Sequence, residues 1–226
     1  MEVLNIMVEN TKLSMRDFVH QNIFGRLTMD NSCAARLATM AAVCEGDHIE
    51  IGVAHGGSAI LCAYAKKLTK TAGIIYGVDP LEGYVDPARN PVPPEPTYDN
   101  VVRNFELHSV EDKIKLYAGY HPPLPAELRN KTFVSAFIDG EHDYISTMKD
   151  WLNLKDKVSG MVAFHDVDSG IWGCNTVFKI AEMDKDWERY ELYGQIGILK
   201  RKDFTPTPIK ELYERLGVEY IDPQKD

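Results

Sequence analysis

Short apolar runs alternate along this chain with longer segments whose apolar positions recur at helical spacing. The runs His48–Val53, Ile74–Val78, Ile114–Ala118, Phe133–Ile138 and Met161–Phe164 read as parallel strands buried on both faces. Between and after them, Ala59–Leu68, Tyr98–His108, Tyr144–Val158 and Cys174–Met183 read as helices, with a short helix at Pro123–Leu128. In Tyr144–Val158 the apolar positions are Ile145, Met148, Trp151, Leu152 and Leu154, and Ser159-Gly160 supplies a stop. Residues 1–46 hold two further helices, Ser14–Phe24 and Asn31–Cys44. The second is capped by Asp30 or Asn31 and buries Ala35, Leu37, Ala38, Ala41, Ala42 and Val43. This pair packs over the ligand end of the sheet or against a second copy of the chain.

Glu188–Tyr193 and Gly197–Lys200 flank the turn Gly194-Gln195 as an antiparallel hairpin, and Lys210–Leu216 adds a last surface helix. The pattern predicts one α/β domain over residues 1–226. Its fold class is a doubly wound, Rossmann-like sheet of seven strands, mostly parallel, closed by a C-terminal antiparallel hairpin. Prolines at 80, 87, 91, 93, 94 and 96 forbid a long helix in residues 80–97. That segment leaves a strand at the carboxyl edge, which suits a lid or substrate-recognition loop with Tyr84, Asp86 and Arg89 touching substrate; the alternative is a disordered surface insertion.

The strand ends carry the chemistry. Phe137-Ile138 stops at Asp139, followed by Gly140-Glu141-His142-Asp143-Tyr144, and one βα unit later Phe164 stops at His165-Asp166. Adjacent parallel strands place Asp139, His142 and Asp166 in one cleft, at the edge where open α/β sheets bind ligands. Carboxylate oxygens suit a hard cation such as Mg²⁺, and an imidazole beside them suits proton abstraction. The alternative is that both aspartates only cap strand ends and His142 is solvated. A second cluster lies at the same edge. The strand through Glu50 runs into the small-residue turn Gly52 to Ser58, where backbone N–H groups can approach a ligand, and Asp79 ends the next strand, placed to accept ribose hydroxyls.

These residues together resemble the class I S-adenosylmethionine-dependent methyltransferases. The similar elements are Glu50-x-Gly52-x-x-x-Gly56-x-Ser58, then Asp79, then Asp139-Gly140-x-His142-x-Tyr144, then His165-Asp166. The branch they resemble includes macrocin-type sugar O-methyltransferases and cephalosporin-hydroxylase-like proteins. The resemblance runs from about His48 to Lys202. It implies S-adenosylmethionine as cofactor, with Glu50, Gly52 and Ala54 at its methionine part, Ser58 in the same turn, Asp79 at the ribose, Gly119 and Tyr120 near the adenine, and Asp139 bordering the cofactor site. It also implies Asp139 and Asp166 as metal ligands and His142 as base. His165 stands where relatives often carry an acid, which either gives a mixed nitrogen and oxygen site and moves the preference from Mg²⁺ toward Mn²⁺ or another transition metal, or leaves His165 pointing away and the metal site weak or absent. The reaction implied is methyl transfer to a hydroxyl of a small molecule or sugar.

Composition narrows the partners. The net charge of -9 opposes a nucleic-acid backbone. Cys33, Cys44, Cys62 and Cys174 lack metal-site spacing and read as reduced core residues, and no run is long enough to span a membrane, so a cytoplasmic enzyme is expected, possibly assembled as a homo-oligomer. Three other readings fit the same motifs: a nicotinamide-dependent oxidoreductase, although no Tyr-x-x-x-Lys pair is recognisable; methyl transfer without metal, using His142 or His165 as base; and a non-catalytic S-adenosylmethionine-binding protein.

Overall fold

A computed structural model of the protein describes residues 29–82, 96–168 and 172–217. In chain order the elements are α1 (Asn31–Val43), β1 (His48–Ile51), α2 (Gly57–Leu68), β2 (Ile75–Asp79), α3 (Tyr98–Leu107), β3 (Ile114–Ala118), a 3-10 turn (Ala126–Leu128), β4 (Phe133–Ile138), α4 (Tyr144–Leu154), β5 (Val158–Phe164), α5 (Trp172–Glu182), β6 (Trp187–Tyr193), β7 (Ile196–Arg201) and α6 (Ile209–Leu216). The helix expected at Ser14–Phe24, and Tyr84, Asp86 and Arg89 of the proline-rich segment, lie outside the described residues.

One sheet runs β3-β2-β1-β4-β5-β7-β6. Strands β1 to β5 are parallel, and β7 is antiparallel to both β5 and β6. Alternate residues of each central strand feed opposite layers, as the two-residue period of a strand requires. Met161 and Ala163 join the layer of α1, α2 and α3, while Val162 and Phe164 join the layer of α4 and α5. In the first layer α1 is rich in alanine, which lets it pack closely on α2, and the Asp30 carboxylate caps it by accepting from Cys33 N at 2.8 Å. The second layer is aromatic: Trp151 meets Trp187 at 5.2 Å and Phe164 at 5.7 Å between ring centroids. Edge and tilted contacts of this kind add roughly 0.5–1.5 kcal/mol each beyond area burial. They fix α4 and β5, the two elements that carry His142 and His165-Asp166.

Two sequence expectations change. Helix α4 stops at Leu154, and Ser159-Gly160 lies inside β5 instead of ending the helix. The glycine there serves the sheet, because a Cβ at Gly160 would sit 2.5 Å from Val134 O. On α4 itself, Ile145 and Leu152 are exposed at 62% and 53%, whereas Thr147, Asp150, Trp151 and Leu154 face inward. Helical spacing was satisfied by either set; the inner polar residues bury because each is bonded. Thr147 Oγ1 donates to Asp143 O at 2.8 Å, and Asp150 Oδ1 lies 2.6 Å from His121 Nδ1.

A buried cation closes the opposite end of the sheet. Lys66 Nζ donates to the carbonyls of Cys44, Gly46 and Ala72 at 2.7, 3.0 and 3.2 Å, so all three of its donors are used. Burial lowers its pKa from the ordinary lysine value. Nearby, His48 Nδ1 meets Ser135 Oγ at 2.9 Å across the β1–β4 pair, and burial, helped by the Lys66 charge, holds the imidazole down at about 3. An unfolded imidazole titrates near 6.5. Between those values the unfolded chain takes up a proton that the folded state refuses, so stability falls as pH drops below about 6.5. His48→Asn keeps a polar partner for Ser135 and does not ionise. Its melting temperature is expected to decline less than that of the unsubstituted protein between pH 7 and pH 5, and parallel declines would refute this assignment.

Candidate functional site

Sheet register builds the site. Ile51 pairs with Val78 on one side and Ile138 on the other, and Ile138 pairs with Phe164. The residues that follow, Asp79, Gly52, Asp139 and His165, therefore stand in one row across the carboxyl edge. Backbone bonds continue into that row, from Gly52 N to Val78 O at 3.0 Å, Asp139 N to Ile51 O at 2.8 Å and His165 N to Ile138 O at 3.1 Å. Gly52 has φ +86°, and a Cβ there would fall 2.0 Å from Asp139 O. Only glycine lets the strand ends come together in this way.

The β1–α2 turn is organised around Asp79. Its Oδ2 accepts from Val53 N at 2.7 Å and Ala54 N at 2.9 Å, and its Oδ1 accepts from Leu81 N at 2.7 Å. A carboxylate offers about four lone-pair sites, so Asp79 retains capacity for one further donor. Ala54 is exposed and left-handed at φ +46°. Glu50 lies wholly buried beneath the turn and accepts from Ser58 Oγ. Burial pushes its carboxyl well above the ordinary range; Ser58 opposes this, and Asp139 and Asp79 add to it. Glu50 and Ser58 thus brace the turn from below.

At the other half of the row, Asp139, His142 and Asp166 each present a ligand atom, all within 4.8 Å of one another. His142 Nδ1 lies 2.6 Å from Asp166 Oδ2, and its Nε2 lies 4.0 Å from Asp139 Oδ1. His165 Nδ1 is 3.0 Å from Asp139 Oδ1 and 3.6 Å from Asp166 Oδ2. The side chain of His142 is 38% exposed and that of His165 only 4%. The Asp166 contact raises the His142 pKa against the effect of burial. For His165 burial opposes protonation, but the Asp139 and Asp166 carboxylates outweigh it, so its pKa also rises. Asp166 is held at φ +55°, a conformation that non-glycine residues adopt at a cost and that gathers at functional sites.

Gly119 and Tyr120 lie at the end of β3, with Gly119 N donating to Asp79 O at 2.9 Å. Tyr120 is 60% exposed and its hydroxyl donates to Glu82. The structure thus gathers the predicted residues into two groups on one edge: Glu50, Gly52, Ala54, Ser58, Asp79, Gly119 and Tyr120 toward β2 and β3, and Asp139, His142, His165 and Asp166 toward β4 and β5. Sequence reading missed Gln195. Its Nε2 donates to Asp166 Oδ1 at 3.3 Å, and its carbonyl accepts from Val167 N at 3.1 Å. The turn residue was visible as a turn; its role depends on where β7 enters the sheet. Cys174 adjoins the cluster, but burial pushes its thiol up to about 11, and all four cysteines are buried and free.

No curated protein sequence matches the chain. Solved structures do. The O-methyltransferase NovP is 20% identical with a TM-score of 0.60, covering 74% of this chain and 78% of its own. An O-methyltransferase from Bacillus cereus in complex with SAH is 14% identical with a TM-score of 0.65, covering 88% and 97%. CalS11, a TDP-rhamnose 3'-O-methyltransferase of calicheamicin biosynthesis, is 18% identical with a TM-score of 0.56, covering 75% and 78%. These likenesses establish the fold. The profile of the methyltransferase domain family matches residues 49–167, more than half of the chain and the whole row of strand-end residues. The chain belongs to that methyltransferase family.

Proposed function

We propose that the protein transfers the methyl group of S-adenosylmethionine to a hydroxyl of a small molecule, sugars included, with help from Mg²⁺ or Mn²⁺. The observation that carries this reading is the convergence of Asp139, His142 and Asp166 beside the Gly52 turn on one sheet edge. The methyl group has to lie next to the acidic cluster, so the nucleoside runs the other way, over β1 and β2. That direction brings the ribose to Asp79 and the adenine toward Gly119 and Tyr120. The exposed backbone at Gly52 and Ala54 would border the methionine part.

The donor set fits a divalent cation: two carboxylates with the imidazole of His165 behind them, a mixture that suits Mn²⁺ as well as Mg²⁺. Bound there, such an ion acts as a Lewis acid that makes the acceptor hydroxyl easier to deprotonate. Exposure divides the histidines: buried His165 holds Asp139, and the more open His142 meets the acceptor. His142 Nδ1 lies 2.6 Å from Asp166 Oδ2, and a proton held on that nitrogen would leave the Nε2 lone pair for the acceptor proton. Asp139 and Asp166 hold the acceptor in place, and much of the acceleration follows from fixing donor and acceptor in line. The 2.6 Å His142–Asp166 contact also suits a second reading, proton abstraction with no metal. Turnover that persists after exhaustive chelation would select it. Four buried free cysteines support a reducing, cytoplasmic setting.

Asp79→Ala is expected to weaken S-adenosylhomocysteine binding by about 1–3 kcal/mol, as measured by calorimetry on folded protein. The loss combines the ribose contact with release of the Val53 and Ala54 amides; unchanged affinity would exclude the assignment.

Asp139→Asn and Asp166→Asn should each abolish metal-dependent turnover and leave cofactor affinity nearly intact. His142→Ala should spare Mn²⁺ binding and slow turnover by about 10²–10⁴. Equal rates with chelator and with added metal would remove the metal from the mechanism, and full activity of His142→Ala would transfer the base role to His165.

Gln195→Ala removes the Nε2 bond to Asp166 Oδ1. A loss of roughly 10–100-fold in metal affinity or turnover is expected, with S-adenosylhomocysteine binding unaltered. Metal titrations followed by turnover at saturating metal would show whether the loss lies in affinity or in rate, and no loss in either would leave Gln195 a turn residue only.

A further inference from the structure

The rim of this edge carries an unbalanced charge and a bare apolar surface. The described edge segments 52–58, 79–82, 119–125, 139–147 and 165–168 contain seven carboxylates, Asp79, Glu82, Asp139, Glu141, Asp143, Asp166 and Asp168, and no Lys or Arg. The cation that Asp143 feels is Lys149, six residues further along α4 and so about 9 Å away along the helix axis. A divalent ion would offset Asp139 and Asp166, and the sulfonium would offset one further charge. The edge stays negative with both in place.

Among these acids stand exposed apolar groups. Tyr144 and Ile145 open α4 just after Asp143 and are 46% and 62% exposed; Tyr120 is 60% exposed across the cleft. Tyr120 donates to Glu82, and its phenol pKa is raised by that contact and by Glu141. Glu141 accepts from Ser146 Oγ at 2.8 Å and Asp143 caps α4, so both carboxylates are fixed at the rim. Beneath this rim the floor of the proposed methyl-transfer site holds an unsatisfied polar group. His165, 4% exposed, points its ring at Asp139 and Asp166, yet neither ring nitrogen forms a well-aligned hydrogen bond.

Resting on the methyl-transfer reading, we propose that the acceptor is an uncharged or cationic hydroxyl compound with an apolar or aromatic body, and that this edge selects against acceptors bearing phosphate. Phosphate oxygens need cationic or N–H donors, and here they would meet fixed carboxylates. An ammonium group would pair with Glu141 or Asp143 and lie over the Tyr144 face. This specificity departs from that of CalS11, which acts on a nucleotide-linked sugar.

The test uses one scaffold at three charges. Full-length protein saturated with S-adenosylhomocysteine and Mn²⁺ is titrated by calorimetry with 3,4-dihydroxyphenethylamine, the corresponding alcohol and the phosphate ester of that alcohol. The amine and alcohol are expected to bind at least about tenfold more tightly than the phosphate ester at low salt, with the gap closing at high salt as screening grows. A Glu141→Lys, Asp168→Lys variant should narrow or reverse the order; both residues are exposed and outside the proposed catalytic group. A phosphate ester that binds as well as the alcohol overturns the proposal, as does binding of none of the three. Failure of S-adenosylhomocysteine itself to bind would instead bring down the methyl-transfer reading.

Discussion

Everything at the carboxyl edge depends on the close approach of two strand ends, β1 at Gly52 and β4 at Asp139. A single methyl group at Gly52 would drive into the Asp139 carbonyl. Without that approach the turn proposed to border the cofactor and the aspartate proposed to face the acceptor would separate. Methyl transfer between two bound molecules gains most of its rate from holding them at contact, so a displacement of an ångström at this junction would be felt in the chemistry. Parallel pairing supplies the rest, because register alone sets Asp79, Gly52, Asp139 and His165 side by side.

The edge concentrates negative charge, and the fold compensates its parts differently. Asp79 is held by three backbone amides, a fixed set that organises the turn. Glu50, buried and close to Asp79 and Asp139, has its carboxyl pushed well above the ordinary range, first by burial. Asp139 and Asp166 have histidines instead, whose protons can leave. In the proposed reaction, static compensation would serve the cofactor half and exchangeable compensation the acceptor half. A site that binds a cationic sulfonium and then moves a proton needs both.

Much of this was legible in the sequence because burial on both faces makes parallel strands continuous apolar runs with abrupt polar ends. The strands, the order of helices and the terminal hairpin follow from that, and so do Asp79, Asp139 and Asp166 as edge residues. What was not legible concerns partners far apart in the chain. The inner face of α4 misled, since Ile145 and Leu152 fit a helical stripe as well as Thr147 and Asp150 do. The buried set becomes identifiable only when His121 is known to meet Asp150. Glu50 likewise read as a group open to the cofactor, and its wholly buried contact with Ser58 depends on the layer of α2 that covers it.

Gln195 shows why topology matters to the chemistry. A hairpin whose second strand continued the parallel direction of β5 would place its turn at the opposite end of the sheet. Here β7 runs antiparallel to β5, with Phe164 paired to Gly197, so β7 begins where β5 ends. The turn between β6 and β7 therefore arrives beside Asp166, offering Gln195 Nε2 to the carboxylate and Gln195 O to the next backbone amide. Those two bonds hold the side chain of Asp166, which sits at a left-handed φ, and the amide of the residue after it. The C-terminal hairpin thereby holds a strained aspartate in the orientation that lets it face His142, and it does so from a two-residue turn anchored at both ends by strands of the sheet.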